Sequence, residues 1–227
     1  MTRPLVIAVD GPAASGKSTL ARRLAAHLGF PFLDTGLIYR AVGHRVLARG
    51  RDPADLDAAV AEAEALEVED VDHPGLRAEA VGRAASQVAA HKSVRDALLP
   101  FQRRFAAQLP GAVLAGRDIG TEICPDARVK IFITADVEER ARRRYAELRQ
   151  RGEPSIYERV LDELRERDRR DQERAVAPLR AARDAWVLDT TRLDADAAFA
   201  AAVAHIGQVT GRPGLGGAAR PDDRVQP

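Results

Sequence analysis

Along the 227-residue chain, short unbroken apolar runs alternate with longer segments in which apolar positions recur every three or four residues. Leu5 to Val9 is one such run, ended by Asp10-Gly11-Pro12, and it reads as a strand buried on both faces. Lys17 to Leu28 follows, with Leu20, Leu24 and Leu28 four apart and Gly29 as the stop, which predicts a helix. Phe32-Leu33, Ala112 to Ala115, Val129 to Thr134 and Ala185 to Leu188 repeat the buried-strand signature. Strands alternating with helices over this length predict an α/β fold. We expect an open, five-stranded parallel sheet with helices on both faces and ligands at the carboxyl ends of the strands.

Two segments interrupt the alternation. Residues 53–109 are rich in alanine and charge and read as three helices of an inserted subdomain, leaving 1–52 and 110–210 as the core. The second, about 138–174, carries Ile156, Val160 and Leu164 on one apolar face of a helix otherwise crowded with Arg, Asp and Glu, the pattern of a mobile cover. From Gly211 the last seventeen residues hold four Gly and three Pro, and 211–227 reads as a disordered tail.

Charge changes the picture little, because 35 basic and 34 acidic residues leave a net +1. Any anion must therefore be bound by a local arrangement. The basic residues include only three lysines, Lys17, Lys92 and Lys130; the rest are arginine. Aromatic residues are 4% of the chain, too few to build a stacking platform beside the basic clusters, so no nucleic-acid partner is expected. The single cysteine, Cys124, excludes a disulfide framework and reads as a small buried residue. Met1 to Val9 shows no cleavage pattern and no eighteen-residue apolar stretch occurs, so a cytoplasmic protein without membrane contact is expected.

Gly11-Pro12-Ala13-Ala14-Ser15-Gly16-Lys17-Ser18 has two glycines, a lysine and a hydroxyl residue at the spacing of a phosphate-binding loop. A strand before it and a helix starting inside it would aim successive N–H groups at one anion. Lys17 would lie between the β- and γ-phosphates of a nucleotide, and Ser18 would hold Mg²⁺. Asp34-Thr35-Gly36, leading into Ile38-Tyr39-Arg40, sets a hydroxyl, a phenol and a guanidinium beside that loop, where they could grip a second anion. Gly116-Arg117-Asp118-Ile119-Gly120-Thr121 follows the third strand, and Arg167-Asp168-Arg169-Arg170-Asp171 with Arg174 lies on the charged helix. Phosphoryl transfer between nucleotides needs forked cations that follow spreading negative charge, and arginine supplies that geometry. A nucleotide-dependent switch protein is the alternative from another class; it would have no use for a second anion site.

Five ordered segments resemble the bacterial cytidylate kinases, within the phosphate-loop (P-loop) nucleoside monophosphate kinases. They are Asp10 to Thr19, Asp34 to Arg40, Ala84 to Ala90, Gly116 to Thr121 and Arg174 to Leu179. The resemblance implies a P-loop NTPase core, a monophosphate-binding insertion and an arginine-bearing lid, with the γ-phosphoryl group of ATP passing to CMP or dCMP in a monomer. It implies that the loop from Gly11 through Thr19 holds ATP with Mg²⁺. It places Thr35, Tyr39, Arg40, Arg117 and Arg174 around the acceptor phosphate, and Ser86, Arg95 and Asp118 at the cytosine edge. Arg167 and Asp171 are the ribose-contacting pair by the same resemblance. Lys17, Arg117, Arg174 and a lid arginine, Arg143 among Arg140, Arg142 and Arg144, are the expected catalytic cations. UMP, AMP or shikimate would be acceptors of related kinases. Family members usually carry an acidic residue before Gly-Arg-Asp, where this chain has Ala115, leaving Asp10, Asp34 or Asp118 to support the metal with Ser18.

Overall fold

The computed structural model describes residues 3–212; the expected tail lies, from residue 213 onward, outside the described residues. Five strands form one parallel sheet: β1 (Leu5–Asp10), β2 (Phe32–Asp34), β3 (Gly111–Gly116), β4 (Val129–Thr134) and β5 (Trp186–Asp189). Their order is β2-β3-β1-β4-β5. The five apolar runs are these strands, with ends shifted by a residue or so.

The runs are unbroken because both faces of the sheet are covered. Ile7, Val9, Val113, Ile131 and Ile133 pack against Leu20 and Leu24 of α1 (Lys17–Leu28) and Ile206 of α8 (Ala195–Thr210). Gly29 ends α1 in a left-handed conformation, as expected. On the other face, Ala8, Leu33 and Leu114 meet Ile38 and Val42 of α2 (Thr35–Ala48) and Val94 and Leu98 of α5 (Lys92–Ala106). Full burial of each such side chain contributes roughly 1.5–3 kcal/mol.

Between α2 and β3 the chain forms α3 (Leu56–Glu64), two short 3₁₀ turns, α4 (Glu79–Val88) and α5. Ala59 and Ala63 of α3 and Ala85 and Val88 of α4 join the same apolar cluster as Leu114 of the sheet. Glu62, 3% exposed, docks α3 onto α2 by taking ion pairs from Arg45 and Arg49.

The charged segment forms α6 (Val137–Gln150) and α7 (Tyr157–Glu173). Val160 and Leu164 are buried with Ala141, Leu148 and Ala13 of the glycine-rich loop. Ile156, expected on the same apolar face, is instead 53% exposed. It precedes the first turn of α7, so the helical phase does not apply to it.

β1 and β3 are neighbours, with Asp10 level with Gly116. The loops that follow them, 11–16 and 117–118, therefore leave the sheet side by side at its carboxyl edge.

Candidate active site

The loop after β1 turns through three left-handed or positive-φ residues, Gly11 (φ 155°), Ala14 (φ 58°) and Gly16 (φ 88°). Glycine is required at position 11 because a Cβ there would strike the Ile133 carbonyl oxygen. Gly16 caps α1 with no side chain bonding the first amides, and no acidic residue occupies the first turn. Those orphan N–H groups, with the positive end of the helix dipole, form an anion seat. Ser15 Oγ is buried there without a partner.

Lys17 is buried, and its Nζ donates to the Pro12 carbonyl at 3.1 Å. Burial, then the nearby positive charge of Arg117, push its pKa down to about 7. An adjacent polyphosphate reverses that shift. Nucleotide binding at about pH 8 is therefore expected to take up protons, and binding at about pH 6, where Lys17 is already charged, to take up few through this residue. Calorimetry in buffers of different ionisation enthalpy measures this; a binding enthalpy independent of buffer at about pH 8 would contradict it.

The second anion site lies across the loop. Thr35, Tyr39, Ser86, Arg95, Arg117, Asp118, Arg167, Asp171 and Arg174 line a single cleft. They come from α2, α4, α5, the loop after β3, and α7 with the residue that ends it. Arg95 pairs with Asp118, Arg117 pairs with Asp171, and Arg174 Nη2 lies 3.8 Å from Asp118. The Arg95 guanidinium stands over the Tyr39 ring, 5.4 Å from its centroid. Burial pushes the Tyr39 phenol up to about 12, so it stays protonated and able to donate.

Cations exceed carboxylates here. Lys17 and Arg40 donate to carbonyls, Arg40 to Leu76 at 2.6 Å. Arg167 Nε is buried with no hydrogen-bond partner, and burial followed by Arg117 lowers its pKa to about 9. Thr35 donates to the Ala115 carbonyl at 3.0 Å. That bond leaves its oxygen, rather than its proton, available.

The four arginines of α6 expected on a lid, Arg140, Arg142, Arg143 and Arg144, face different ways. Arg140 is spent on the scaffold, bonding the Ala135 and Ala13 carbonyls and Asp168 at 2.9, 3.2 and 2.6 Å. Arg142 is exposed and pairs with Glu139. Arg143 reaches the Thr190 carbonyl at 2.6 Å and lines a cavity of about 370 Å³ with Ser15, Gly16, Thr19 and Leu193. Arg144 shares a different cavity with Arg40, Ser86 and Arg167.

Residues 7–208 match the sequence profile of the cytidylate kinase family. The chain belongs to the cytidylate kinase family. It is 59% identical over 205 residues to a cytidylate kinase of Paramagnetospirillum magneticum, covering 89% of this chain and 97% of that protein. It is 58% identical over 199 residues to one of Methylocella silvestris, covering 88% and 92%. A solved structure of an uncharacterized protein from Eubacterium ventriosum shares the fold, with a TM-score of 0.53 at 17% identity, covering 92% of this chain and 99% of that one. This cytidylate kinase family member is thus a nucleoside monophosphate kinase, a phosphotransferase.

Divalent metal is a general requirement of such transfer. No group of three or more His, Cys, Asp or Glu side chains suited to a metal occurs among the described residues. Both oxygens of Asp10 accept backbone amides, from Ile119 and Gly120, each at 2.8 Å. Asp118 is held by two arginines. Asp34 caps α2 with Oδ1 through the Gly36 amide at 3.0 Å, its Oδ2 takes no hydrogen bond among the described residues, and its charge acts on Lys17, the chain neighbour of the half-buried Ser18. One hydroxyl and one carboxylate oxygen suit Mg²⁺, which keeps several waters and takes its other ligands from phosphates.

Three residues singled out in the sequence have contacts that it did not announce. Asp10 holds the wide turn Ile119–Ile123 against the end of β1. Burial raises its pKa to about 7, against the lowering effect of those two amides. Arg140 ties the glycine-rich loop to both α6 and α7. Arg170 bonds Ser86 across the cleft. The partners of Asp10 are main-chain amides more than a hundred residues away, and Arg140 bonds two main-chain carbonyls and a side chain 28 residues on, so no local spacing announces them. Cys124 is half-buried, and burial lifts its thiol to about 11, which keeps it unreactive. No helix among the described residues is long and apolar enough to cross a membrane.

Proposed function

We propose that the chain transfers the γ-phosphoryl group of ATP to CMP or dCMP, with the residues above in the following roles. The observation that carries this reading is the convergence of Lys17, Arg95, Arg117, Arg167 and Arg174, from four separate stretches of chain, on the space beside one glycine-rich loop.

The loop from Gly11 to Thr19 cradles the ATP phosphates, and Lys17 follows the γ-phosphoryl group as it leaves ADP. Mg²⁺, held by Ser18 and Asp34, would screen charge between the phosphates. Arg40, Arg117 and Arg174 orient the acceptor phosphate. One of its oxygens attacks γ-phosphorus in line, the bond from γ-phosphorus to the bridging oxygen breaks, and ADP departs. No general base is needed, since a phosphate monoester with a second pKa near ~6 is mostly dianionic at pH 7. Positioning and electrostatic stabilisation supply the rate.

At the base, the Asp118 carboxylate accepts from the exocyclic amino group of cytosine, while Ser86 and Arg95 donate to its ring acceptors. Uracil would turn a carbonyl toward Asp118. Residues 53–109 serve as the monophosphate-binding part and about 138–174 as the lid. Its Arg143 covers the donor base, in a water-excluding arrangement.

The test is ADP formation from ATP and Mg²⁺ with each acceptor in turn. CMP and dCMP are expected to support rapid turnover, with UMP, AMP and shikimate far slower. ATP hydrolysis equally fast with and without CMP would instead favour a nucleotide switch.

A further inference from the structure

Arg170 lies on α7 and donates from Nη1 to Ser86 Oγ of α4, at 3.1 Å. The bond has a polarity. A guanidinium can only donate, and a serine hydroxyl has one proton and two lone pairs. With Arg170 occupying a lone pair, the Ser86 proton cannot point at Arg170. Nor is it used elsewhere. A serine inside a helix commonly bonds the carbonyl four residues back, as Thr210 does to Ile206 at 2.7 Å. Ser86 makes no such bond among the described residues, and it lines the cleft that holds Asp118, Arg95 and Tyr39.

We propose that Arg170 is a specificity-determining positioning residue: by occupying one of the two lone pairs of Ser86 and setting a positive charge beside it, it favours that hydroxyl as a donor toward the base over an acceptor. The proposal rests on the reading that Ser86 meets the nucleobase. Cytosine N3 is an acceptor and suits a donor. Uracil N3 carries a proton and would confront another donor at the same place, leaving a buried polar group unpaired. Without Arg170 both lone pairs of the hydroxyl are free to accept from uracil and the neighbouring positive charge is gone, so discrimination falls although nothing touching the substrate has been replaced. Arg170 is itself paired with Glu166, 3.4 Å from its Nε, and it reaches Ser86 from the neighbouring cavity and not from the cleft that holds Asp118.

The test compares kcat/KM for CMP and UMP in Arg170→Met, Arg170→Lys, Ser86→Ala and the double variant Arg170→Met/Ser86→Ala. Arg170→Met is expected to lower the CMP-to-UMP ratio about 10-fold, with kcat at saturating CMP little changed. Arg170→Lys, which keeps a donor, restores most of the ratio. The double variant should match Ser86→Ala, because Arg170 acts only through that hydroxyl. Equal loss on both nucleotides in Arg170→Met, or additive effects in the double variant, would overturn the proposal. If Ser86→Ala lowers the ratio and Arg170→Met does not, the base-reading role of Ser86 stands and this inference alone fails. If Ser86→Ala leaves the ratio unchanged, both fall.

Discussion

Replacing Lys17 with alanine is expected to lower kcat/KM for phosphoryl transfer by about 10³-fold or more, about 4 kcal/mol of transition-state stabilisation, while the protein stays folded. The amine sits among backbone groups of the loop, its only bond among the described residues being to the Pro12 carbonyl, and burial opposes its charge. A lysine whose pKa is lowered by folding binds fewer protons in the native state than in the unfolded chain. The wild type therefore gains stability as pH rises from about 7 toward its ordinary value of 10.5. The alanine variant should lack that rise and show a melting temperature at pH 7 no lower than the parent's. Paired measurements of turnover and of melting against pH test both halves. Undiminished transfer would remove Lys17 from the mechanism, and a collapsed fold would show that its role is structural.

The Asp118→Asn variant is expected to lose about 10²–10³-fold of the preference for CMP over UMP, a part of the roughly 10⁴–10⁵-fold by which a site built to hydrogen-bond one polar group rejects its mismatch. Asp118 is 4% exposed. Arg95 takes Oδ2, while Oδ1 has only the longer 3.8 Å contact with Arg174, so Oδ1 is the oxygen open to an amino group. An amide in its place can turn its own NH₂ toward a uracil carbonyl. The substitution also leaves two buried guanidinium groups short of a counter-charge, a defect of about 3–5 kcal/mol, so a lower melting temperature should accompany the change. The diagnostic quantity is the ratio. A fall in kcat/KM for CMP with UMP unchanged or improved supports base reading, whereas equal falls would assign Asp118 to structure alone.

The sheet was legible because strands covered on both faces must be unbroken apolar runs, and the glycine-rich loop because its turns need glycine at fixed places. The charged helix α7 was harder. Val160 and Leu164 announce an inward face, and Arg167, Asp171 and Arg174 continue it at spacings of three and four. Those three side chains turn inward, while Glu166, Arg169 and Glu173 pair among themselves on the exposed face. Extending the apolar phase into the polar residues separates the two sets, a signal hidden by uniform charge. Other parts of the site had no local signature. The grip of Asp10 on the Ile119 and Gly120 amides depends on β1 and β3 being neighbours, a fact of topology rather than spacing. The facing of Arg143 toward Thr190, and of Arg144 toward Arg40, follows from how α6 lies across the loop.

Central to the whole account is that two anionic nucleotides lie end to end in one cleft. A cytidine and an adenosine joined 5′ to 5′ through a pentaphosphate would span both seats at once. Inhibition by that compound should be competitive against ATP and also against CMP, with one molecule bound per chain and an affinity well above that of either nucleotide. Competition with ATP alone, or binding of two molecules per chain, would contradict the arrangement.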